Sequence, residues 1–260
     1  MTAHFGFTIL GSGSSGNATV LHGPEGCFLL DAGFSMKELC RRMEAMEINP
    51  CSIRALLLTH EHQDHIRGCR VFADHFRIPV YLTADTCRDM AARHLLGEKK
   101  CLISPGSPFT LCGLRVDPFS IPHDVDATAY VFTCGERKFG FATDLGHVNM
   151  LVMQKLSGCD ALVIEANHDT AMLRDSKRPL HVKRRILGRQ GHLSNDSVLE
   201  ALNGLLTEKT RSLTFAHLSG ECNDESLLEG LASERLFQLG RADVPFRIAR
   251  QSAPLETIWL

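Results

Sequence analysis

The feature that most constrains the fold is an apolar run that leads directly into a cluster of histidines. A continuous apolar run of this kind is typical of a buried parallel strand. We expect the extended part of the cluster to aim His60 and His62 at one cation, and the turn after it to aim Asp64 and His65 at a second. The alternative is a polar surface loop that is rich in histidine. The run is Ala55-Leu56-Leu57-Leu58, and the cluster is Thr59-His60-Glu61-His62-Gln63-Asp64-His65.

The residue types of this cluster suit divalent cations. Imidazole nitrogens bind borderline transition metals, and a carboxylate adds negative charge and tolerates manganese as well as zinc. The spacing His-x-His-x-Asp-His is similar to the motif of the metallo-β-lactamase-fold hydrolases, and the chain matches it without a departure.

Composition limits the class of protein. A chain of 260 residues with 44% hydrophobic residues and a net charge of −2 is long enough for one large domain, and we expect a single domain over residues 1–260. The near-neutral charge requires any nucleic-acid contact to come from local patches. Residues 1–10 lack the pattern of a signal peptide, and no apolar run has membrane length. We therefore expect a cytoplasmic protein without a membrane partner, with its ten cysteines reduced.

The pattern of strands and helices changes along the chain. Helices alternate with strands in the first part, short strands follow one another in the middle as the start of a second sheet, and strands and a helix alternate again towards the end. The predicted strands cover residues 5–10, 18–21, 27–30, 55–58, 79–81, 109–111, 114–119, 128–133, 138–142, 159–164 and 213–216. The predicted helices cover residues 37–46, 66–76, 83–95 and a segment that opens near residue 191 and ends at 206.

Four further candidates follow predicted strands. Asp31 can accept hydrogen bonds from ligand imidazoles or loop amides, or it can cap the helix at 37–46. His123 would complete a three-histidine centre with the first two histidines of the cluster. Asp144 would bridge two cations with one oxygen to each, and it also fits the N-cap of a helix near His147. His217 would complete the second centre.

The order of these candidates is similar to the ligand series of dinuclear metallo-β-lactamase-fold phosphodiesterases, a group that includes ribonuclease Z. Six segments resemble the YycJ/WalJ family more closely: Gly11-Ser12-Gly13-Ser14-Ser15-Gly16-Asn17, Asp31-Ala32-Gly33, Thr59-His60-Glu61-His62, Asn167-His168-Asp169, Gly191-His192-Leu193-Ser194-Asn195 and His217-Leu218-Ser219. The resemblance implies a four-layer αββα sandwich, a site for two divalent metal ions, and a manganese-supported 5′-to-3′ exonuclease on DNA that is linked to repair. The ligand types themselves fit Mn²⁺ or Zn²⁺, with Fe as a further candidate. The chain departs from the family at Cys222-Asn223, in place of paired asparagines, and at Ser176-Lys177-Arg178-Pro179, in place of Gly-Pro-Tyr-Pro.

This interpretation predicts a mechanism. The two cations would activate a shared hydroxide for attack on phosphorus, with Asp64 as a ligand that is also catalytic. By analogy with ribonuclease Z, His192 would donate a proton to the leaving oxygen, and Glu165 would orient its ring; the alternative is that His192 caps its own helix. We expect the neighbouring polar residues to support the ligands or contact the substrate, and for His168 a structural hydrogen bond is equally open. They are Asn167, His168, Ser194 and Asn195.

A basic segment lies between residues 174 and 189. Its side chains are candidates for contacts with nucleic-acid phosphates, which would make binding fall steeply with salt. The alternative is an ordinary solvated helix face. The residues predicted to bind nucleic acid are Lys183, Arg184, Arg185 and Arg189.

Three functions are consistent with the sequence. The first is a metal-dependent phosphodiesterase, an exonuclease that acts on DNA. The second is a small-molecule metallo-hydrolase that opens cyclic phosphodiesters, thioesters or lactams with the same ligands. The third is a metal-binding accessory protein without catalysis, which is disfavoured because no ligand position is missing.

Overall fold

The computed structural model describes residues 5–260, so the first four residues of the N-terminal segment analysed above lie outside the described residues. The strands within this range are β1 (Gly6–Gly11), β2 (Ala18–Gly23), β3 (Gly26–Leu30), β4 (Ile53–Leu57), β5 (Val80–Leu82), β6 (Lys100–Leu102), β7 (Phe109–Leu111), β8 (Leu114–Ile121), β9 (Ala127–Cys134), β10 (Arg137–Ala142), β11 (Ala161–Glu165), β12 (Ser212–Ala216), β13 (Phe246–Ile248) and β14 (Ile258–Trp259).

The helices are mostly short and lie between strands. They are α1 (Met36–Ala45), α2 (Gln63–Ile66), α3 (Cys69–Phe76), α4 (Ala84–Ala92), α5 (Met150–Leu156), α6 (Thr170–Asp175), α7 (Leu180–Leu187), α8 (Asn195–Leu205) and α9 (Glu225–Gln238), with a 3₁₀ turn at Pro50–Ser52. No helix in residues 5–260 combines the length and the apolar character needed to cross a membrane.

The strands form two mixed sheets. The first has the spatial order β14-β1-β2-β3-β4-β5-β6 and the second the order β13-β12-β11-β10-β9-β8-β7. In the first sheet β3, β4, β5 and β6 are parallel, and in the second β10, β11, β12 and β13 are parallel. Every residue of β11 and of β12 is buried, and β11 is accordingly an apolar run from Ala161 to Ile164.

Three apolar clusters define four layers. Aromatic residues fill the space between the sheets, where the rings of Phe7 and Phe139 stack with centroids 4.0 Å apart. Apolar residues of α1, α3 and α4 cover the outer face of the first sheet, and those of α5, α8 and α9 cover the outer face of the second. The predicted αββα sandwich is therefore confirmed.

The structure corrects several predicted elements. The helix expected at 66–76 is interrupted between α2 and α3, because Gly68 donates a hydrogen bond to the carbonyl oxygen of Ala32 at 2.8 Å. A Cβ at Gly68 would lie 2.1 Å from the carbonyl oxygen of Phe34, so this close approach requires glycine. Five elements were not predicted from the sequence: β6, β13, β14, α6 and α9. A helix near residue 147 and a helix face in the basic segment were considered only as alternatives, and they correspond to α5 and α7.

The capping alternatives are wrong. Ser35 caps α1, Asn149 caps α5 and Ser194 caps α8, in each case by accepting a backbone N–H in the first turn. Asp31, Asp144 and His192 therefore have no capping role at these helices.

Candidate active site

The candidate ligands meet at one edge of the sandwich, because each follows a strand that ends there. The loop after β4 supplies the histidine cluster, and the loop after β8 supplies His123. Asp144 follows β10 and His217 follows β12. The ligand atoms fall into groups whose members all lie within 4.8 Å of one another: His60, His62 and His123; Asp64, His65 and His217; and His60, His65 and Asp144.

The first group is a three-histidine centre. The Nε2 atom of His123 lies 3.4 Å from the Nδ1 atom of His62, and the rings of His60 and His62 are 4.5 Å apart at their centroids. Burial lowers the pKa of His60 well below its ordinary value, so its ring is neutral and offers a lone pair. These three rings suit one divalent cation.

The second group combines a carboxylate with two imidazoles. The Oδ2 atom of Asp64 lies 3.3 Å from His217 Nε2 and 3.5 Å from His65 Nε2. Asp144 lies between the two groups, with its Oδ2 atom 3.1 Å from His65 Nε2. Burial acts to raise the pKa of Asp144, but the neighbouring His217 and His65 hold it well below its ordinary value. The bridging position thus carries a negative charge.

Two buried atoms indicate that these groups hold metal ions. His60 Nε2 and Asp144 Oδ2 have no hydrogen-bond partner among the described residues, and both are inaccessible to solvent. Burying such atoms unpaired is unfavourable, and coordination to a cation would satisfy both. The residues present therefore fit divalent metal ions.

Asp31 holds the loop of the histidine cluster, residues 59–65, in shape. Its Oδ1 atom accepts the backbone N–H of Thr59 at 2.8 Å, and its Oδ2 atom accepts the Nδ1 proton of His65 at 2.8 Å. Because a carboxylate only accepts, it fixes the tautomer of His65 with the proton on Nδ1, so that Nε2 carries a lone pair for a cation.

The glycine- and serine-rich loop at residues 11–17 also supports the candidate ligands. One of its residues, Asn17, was given no separate role from the sequence. The side-chain amide of Asn17 donates to Asp64 Oδ2 at 3.2 Å, and its backbone N–H donates to the carbonyl oxygen of Asp64 at 2.8 Å. Ser12 Oγ accepts the backbone N–H of His217 at 2.9 Å. A Cβ at Gly33 would lie 1.7 Å from the Asp64 carbonyl oxygen, so glycine is needed for the loops to approach.

Glu165 is fully buried and receives four hydrogen bonds. Its Oε1 atom accepts the Nδ1 protons of His192 at 2.8 Å and His217 at 2.7 Å. Its Oε2 atom accepts the backbone N–H groups of Leu145 at 2.7 Å and Leu193 at 3.0 Å. Burial acts to raise the pKa of Glu165, but His192 and His217 lower it to about 2. A single carboxylate thus orients both a candidate ligand and the candidate proton donor.

Three site residues have an unusual backbone conformation. Asp31, Asp144 and His217 have φ angles of 59°, 57° and 57°, in the left-handed region that residues other than glycine rarely adopt. Each lies just after a strand, at the point where the chain turns into the site. Strain of this kind is concentrated at functional sites.

A cavity of about 310 Å³ opens beside the ligands. Asn167 and His192 line it, and the Asn167 side chain also donates to the carbonyl oxygen of His217 at 2.9 Å. Both ring nitrogens of the buried His168 lack a hydrogen-bond partner among the described residues, and His168 does not line the cavity. The cavity lining also excludes Ser194, which caps α8, and Asn195, whose side chain pairs with Asn223.

The basic side chains of residues 174–189 lie in different places in the structure. Arg185 lines the cavity, whereas Arg184 and Arg189 line an adjacent hollow of about 550 Å³ that Arg185 shares. Lys183 donates to the carbonyl oxygen of Arg174. Arg178 also lines the cavity, although the sequence analysis did not select it within the segment.

Asp124 was also missed. Its Oδ1 atom lies 3.2 Å from His123 Nε2 and 3.5 Å from His62 Nε2, at the edge of the first centre. Its position directly after His123 was the signal in the sequence.

Comparisons with known proteins agree with this fold. A family model described as a beta-lactamase superfamily domain matches residues 27–217. The chain is 34% identical over 239 residues to the exodeoxyribonuclease YycJ of Bacillus anthracis, covering 90% of each protein. It is 33% identical to the exodeoxyribonuclease WalJ of Streptococcus pneumoniae, covering 92% of this chain and 90% of that protein. The metallo-β-lactamase-fold protein YhfI of Bacillus subtilis superimposes with a TM-score of 0.74 at 15% identity, covering 99% of this chain and 100% of that one.

Proposed function

Since the chain belongs to the beta-lactamase superfamily, as its motifs predicted, we propose that it is a two-metal phosphodiesterase that degrades DNA as a 5′-to-3′ exonuclease. Its family and its ligand cluster make it a metal-dependent hydrolase. The proposed exonuclease activity on DNA is supported by the similarity to YycJ and WalJ, which extends over nearly the whole chain. The observation that carries it is the convergence of the candidate ligands beside a histidine that Glu165 orients.

The ligand set defines how the chain would hold the metals. His60, His62 and His123 would hold one ion; Asp64, His65 and His217 would hold the other; and Asp144 would contact both. Bound Mn²⁺ or Zn²⁺ would supply Lewis acidity, which stabilises charge on a phosphate and lowers the pKa of water.

His192 is the proposed proton donor. Glu165 holds the ring at Nδ1, at 2.8 Å, and the residue lines the cavity, so Nε2 remains to serve a leaving oxygen. Burial acts to lower the pKa of His192, but Glu165 raises it above its ordinary value. A raised pKa favours the protonated ring, which is the form that general acid catalysis needs.

The substrate is proposed to be DNA, in a role linked to repair. The arginines in and beside the cavity would pair with backbone phosphates. We place the protein in the cytoplasm, where its ten cysteines, all free in the structure, would stay reduced.

Cleavage of end-labelled DNA tests the proposal. Single- and double-stranded DNA, labelled at either end, would be incubated with Mn²⁺, Zn²⁺ or Mg²⁺. We expect mononucleotides to be released from the 5′ end and Asp64→Ala to be inactive. Hydrolysis of small esters or lactams without cleavage of DNA would instead favour the small-molecule hydrolase.

A further inference from the structure

The cavity beside the ligands is lined by two chemically different sets of side chains. One set is the candidate metal ligands His62, Asp64, Asp144 and His217, where a reacting phosphate would bind if the proposed function holds. The other set is Arg178 and Arg185, and no lysine among the described residues lines the cavity. Two arginines therefore line a cavity that would already hold one phosphate.

The present partners of these arginines do not explain their placement. Arg178 Nε lies 2.9 Å from an Oε2 atom of Glu221, and the Glu221 side chain is 52% exposed. Arg185 Nη1 lies 3.6 Å from Asp124 Oδ2, beyond hydrogen-bond distance, and the Arg185 side chain is 65% exposed. The other member of each pair, Arg178 or Asp124, is 29% exposed, and partly exposed ion pairs of this kind contribute little to stability. Both guanidinium groups are thus free to exchange these partners for another anion.

Asp124 lies between Arg185 and the two histidines His62 and His123 of the first candidate centre. One of its carboxylate oxygens faces His62 and His123, at 3.5 and 3.2 Å, and the other faces Arg185. This arrangement keeps the guanidinium apart from the ligands, with a carboxylate between them. A phosphate at Arg185 would therefore be a different group from the phosphate at the metals.

The size and chemistry of the cavity identify the ligand. Its volume of about 310 Å³ is at the lower end of the range for small-molecule sites, which suits one end of a single strand rather than a duplex. The planar fork of arginine matches the oxygens of a phosphate in two hydrogen bonds. A nucleic-acid strand supplies a second phosphate one nucleotide away from the reacting one.

We propose that Arg178 and Arg185 form a clamp for a second phosphate of the substrate strand, one nucleotide away from the linkage that is cleaved. This inference rests on the proposed function, since it assumes that the reacting phosphate binds at the metals. It separates these two arginines from the rest of the basic segment: Arg184 and Arg189 line the adjacent hollow, and Lys183 is bonded to the main chain.

Calorimetric binding of a ligand that cannot be cleaved tests the clamp. The ligand is a dithymidine joined by an uncharged methylphosphonate, carrying a phosphate on its 5′ end, on its 3′ end, or on neither. It would be titrated into the Mn²⁺-loaded wild-type protein and into Arg178→Gln and Arg185→Gln. Arg115→Gln, an exposed arginine at the opposite end of β8, is the control with the same change of charge.

One phosphorylated ligand should bind the wild-type protein about tenfold or more tightly than the ligand without a phosphate, as expected for charge-assisted hydrogen bonds. The end that gives this gain identifies the side of the cleaved linkage on which the clamp acts. The gain should disappear in Arg178→Gln and Arg185→Gln and persist in Arg115→Gln. No gain in the wild-type protein, or a gain that persists in either cavity variant, would overturn the clamp. Because no bond is cleaved, a failure to degrade DNA would count against the proposed function alone.

Discussion

Replacing Glu165 by glutamine should weaken metal binding and catalysis together. The carboxylate accepts four hydrogen bonds, two from imidazoles on Oε1 and two from backbone amides on Oε2. A glutamine amide has one accepting and one donating end. Whichever way it is turned, its NH₂ group must face two N–H donors that the carboxylate had accepted. If the NH₂ group faces the imidazoles, His217 can relieve the conflict only by moving its proton to Nε2, which removes the lone pair that a cation needs.

The lost contacts give the expected changes in stability and metal affinity. Leaving two buried N–H donors without an acceptor should lower the free energy of unfolding by about 2–4 kcal/mol. Loss of the carboxylate behind a metal-binding histidine typically weakens metal affinity or activity by about 10–100-fold. Calorimetric titration with Mn²⁺, urea unfolding and the DNA assay would measure the three effects separately.

Asp160→Asn is the matched control. Asp160 precedes the same strand at its other end, and its carboxylate accepts hydrogen bonds from Arg137 Nη1 and from the backbone N–H of Lys138, both at 2.9 Å. This substitution should lower stability without changing metal affinity. Wild-type Mn²⁺ affinity and wild-type turnover in Glu165→Gln would refute the reasoning.

Three further predictions concern the proton donor, the metals and acid stability. His192→Ala should lower kcat by about 100-fold or more, the usual weight of a general acid, with metal content unchanged; loss of metal in elemental analysis would show instead that His192 is a ligand. Metal at about 100 times its Kd should stabilise the fold by about 2.7 kcal/mol. For a chain of this length that corresponds to a Tm increase of roughly 5–10 °C over protein in EDTA, and calorimetry showing no shift would contradict the site. Burial lowers the pKa of His22 from 6.5 to about 4, so between these values the unfolded chain binds a proton that the folded chain does not, and stability falls as pH drops. Allowing for the partial exposure of His22, its share of the loss of unfolding free energy between pH 6.5 and 4.5 is about 1–2 kcal/mol. The His22→Gln variant should lack this share, and urea unfolding that gives equal losses for the wild-type protein and the variant would exclude it.

The candidate ligands could be predicted because their signal is local. Each is a polar residue directly after an apolar strand, and the ends of parallel strands meet at one edge of a sheet. The His-x-His-x-Asp-His spacing needs no knowledge of distant contacts, and the same holds for His123, Asp144 and His217 once the strands are assigned.

Other parts of the site depend on contacts between segments that are far apart in the sequence. Asn17 reaches Asp64 across 47 positions, and Glu165 reaches His217 across 52. Nothing near Glu165 in the sequence indicates that it serves two histidines. Arg178 was passed over for the same reason, since only the folded chain brings it to the cavity that the candidate metal ligands line.

Local sequence also misjudged where helices begin and end. The pattern through residues 66–76 predicts one helix, yet the contact of Gly68 with the carbonyl oxygen of Ala32 separates α2 from α3 within this range. Serine and asparagine at positions 35, 149 and 194 took the capping roles that had been considered for Asp31, Asp144 and His192. In each case tertiary contacts decided between alternatives that the local pattern allowed.

The left-handed backbone at Asp31, Asp144 and His217 has a consequence for how ions enter the site. Such conformations are each disfavoured by roughly 1–3 kcal/mol and persist only where the surrounding fold imposes them. We therefore expect the fold itself, rather than a bound ion, to impose this unfavourable geometry. A cation would meet side chains that are already in position, so little free energy is spent on rearranging them. Metal-free and metal-loaded forms should then share one backbone, and the rate of ion uptake should be limited by the loss of water and protons rather than by movement of the chain.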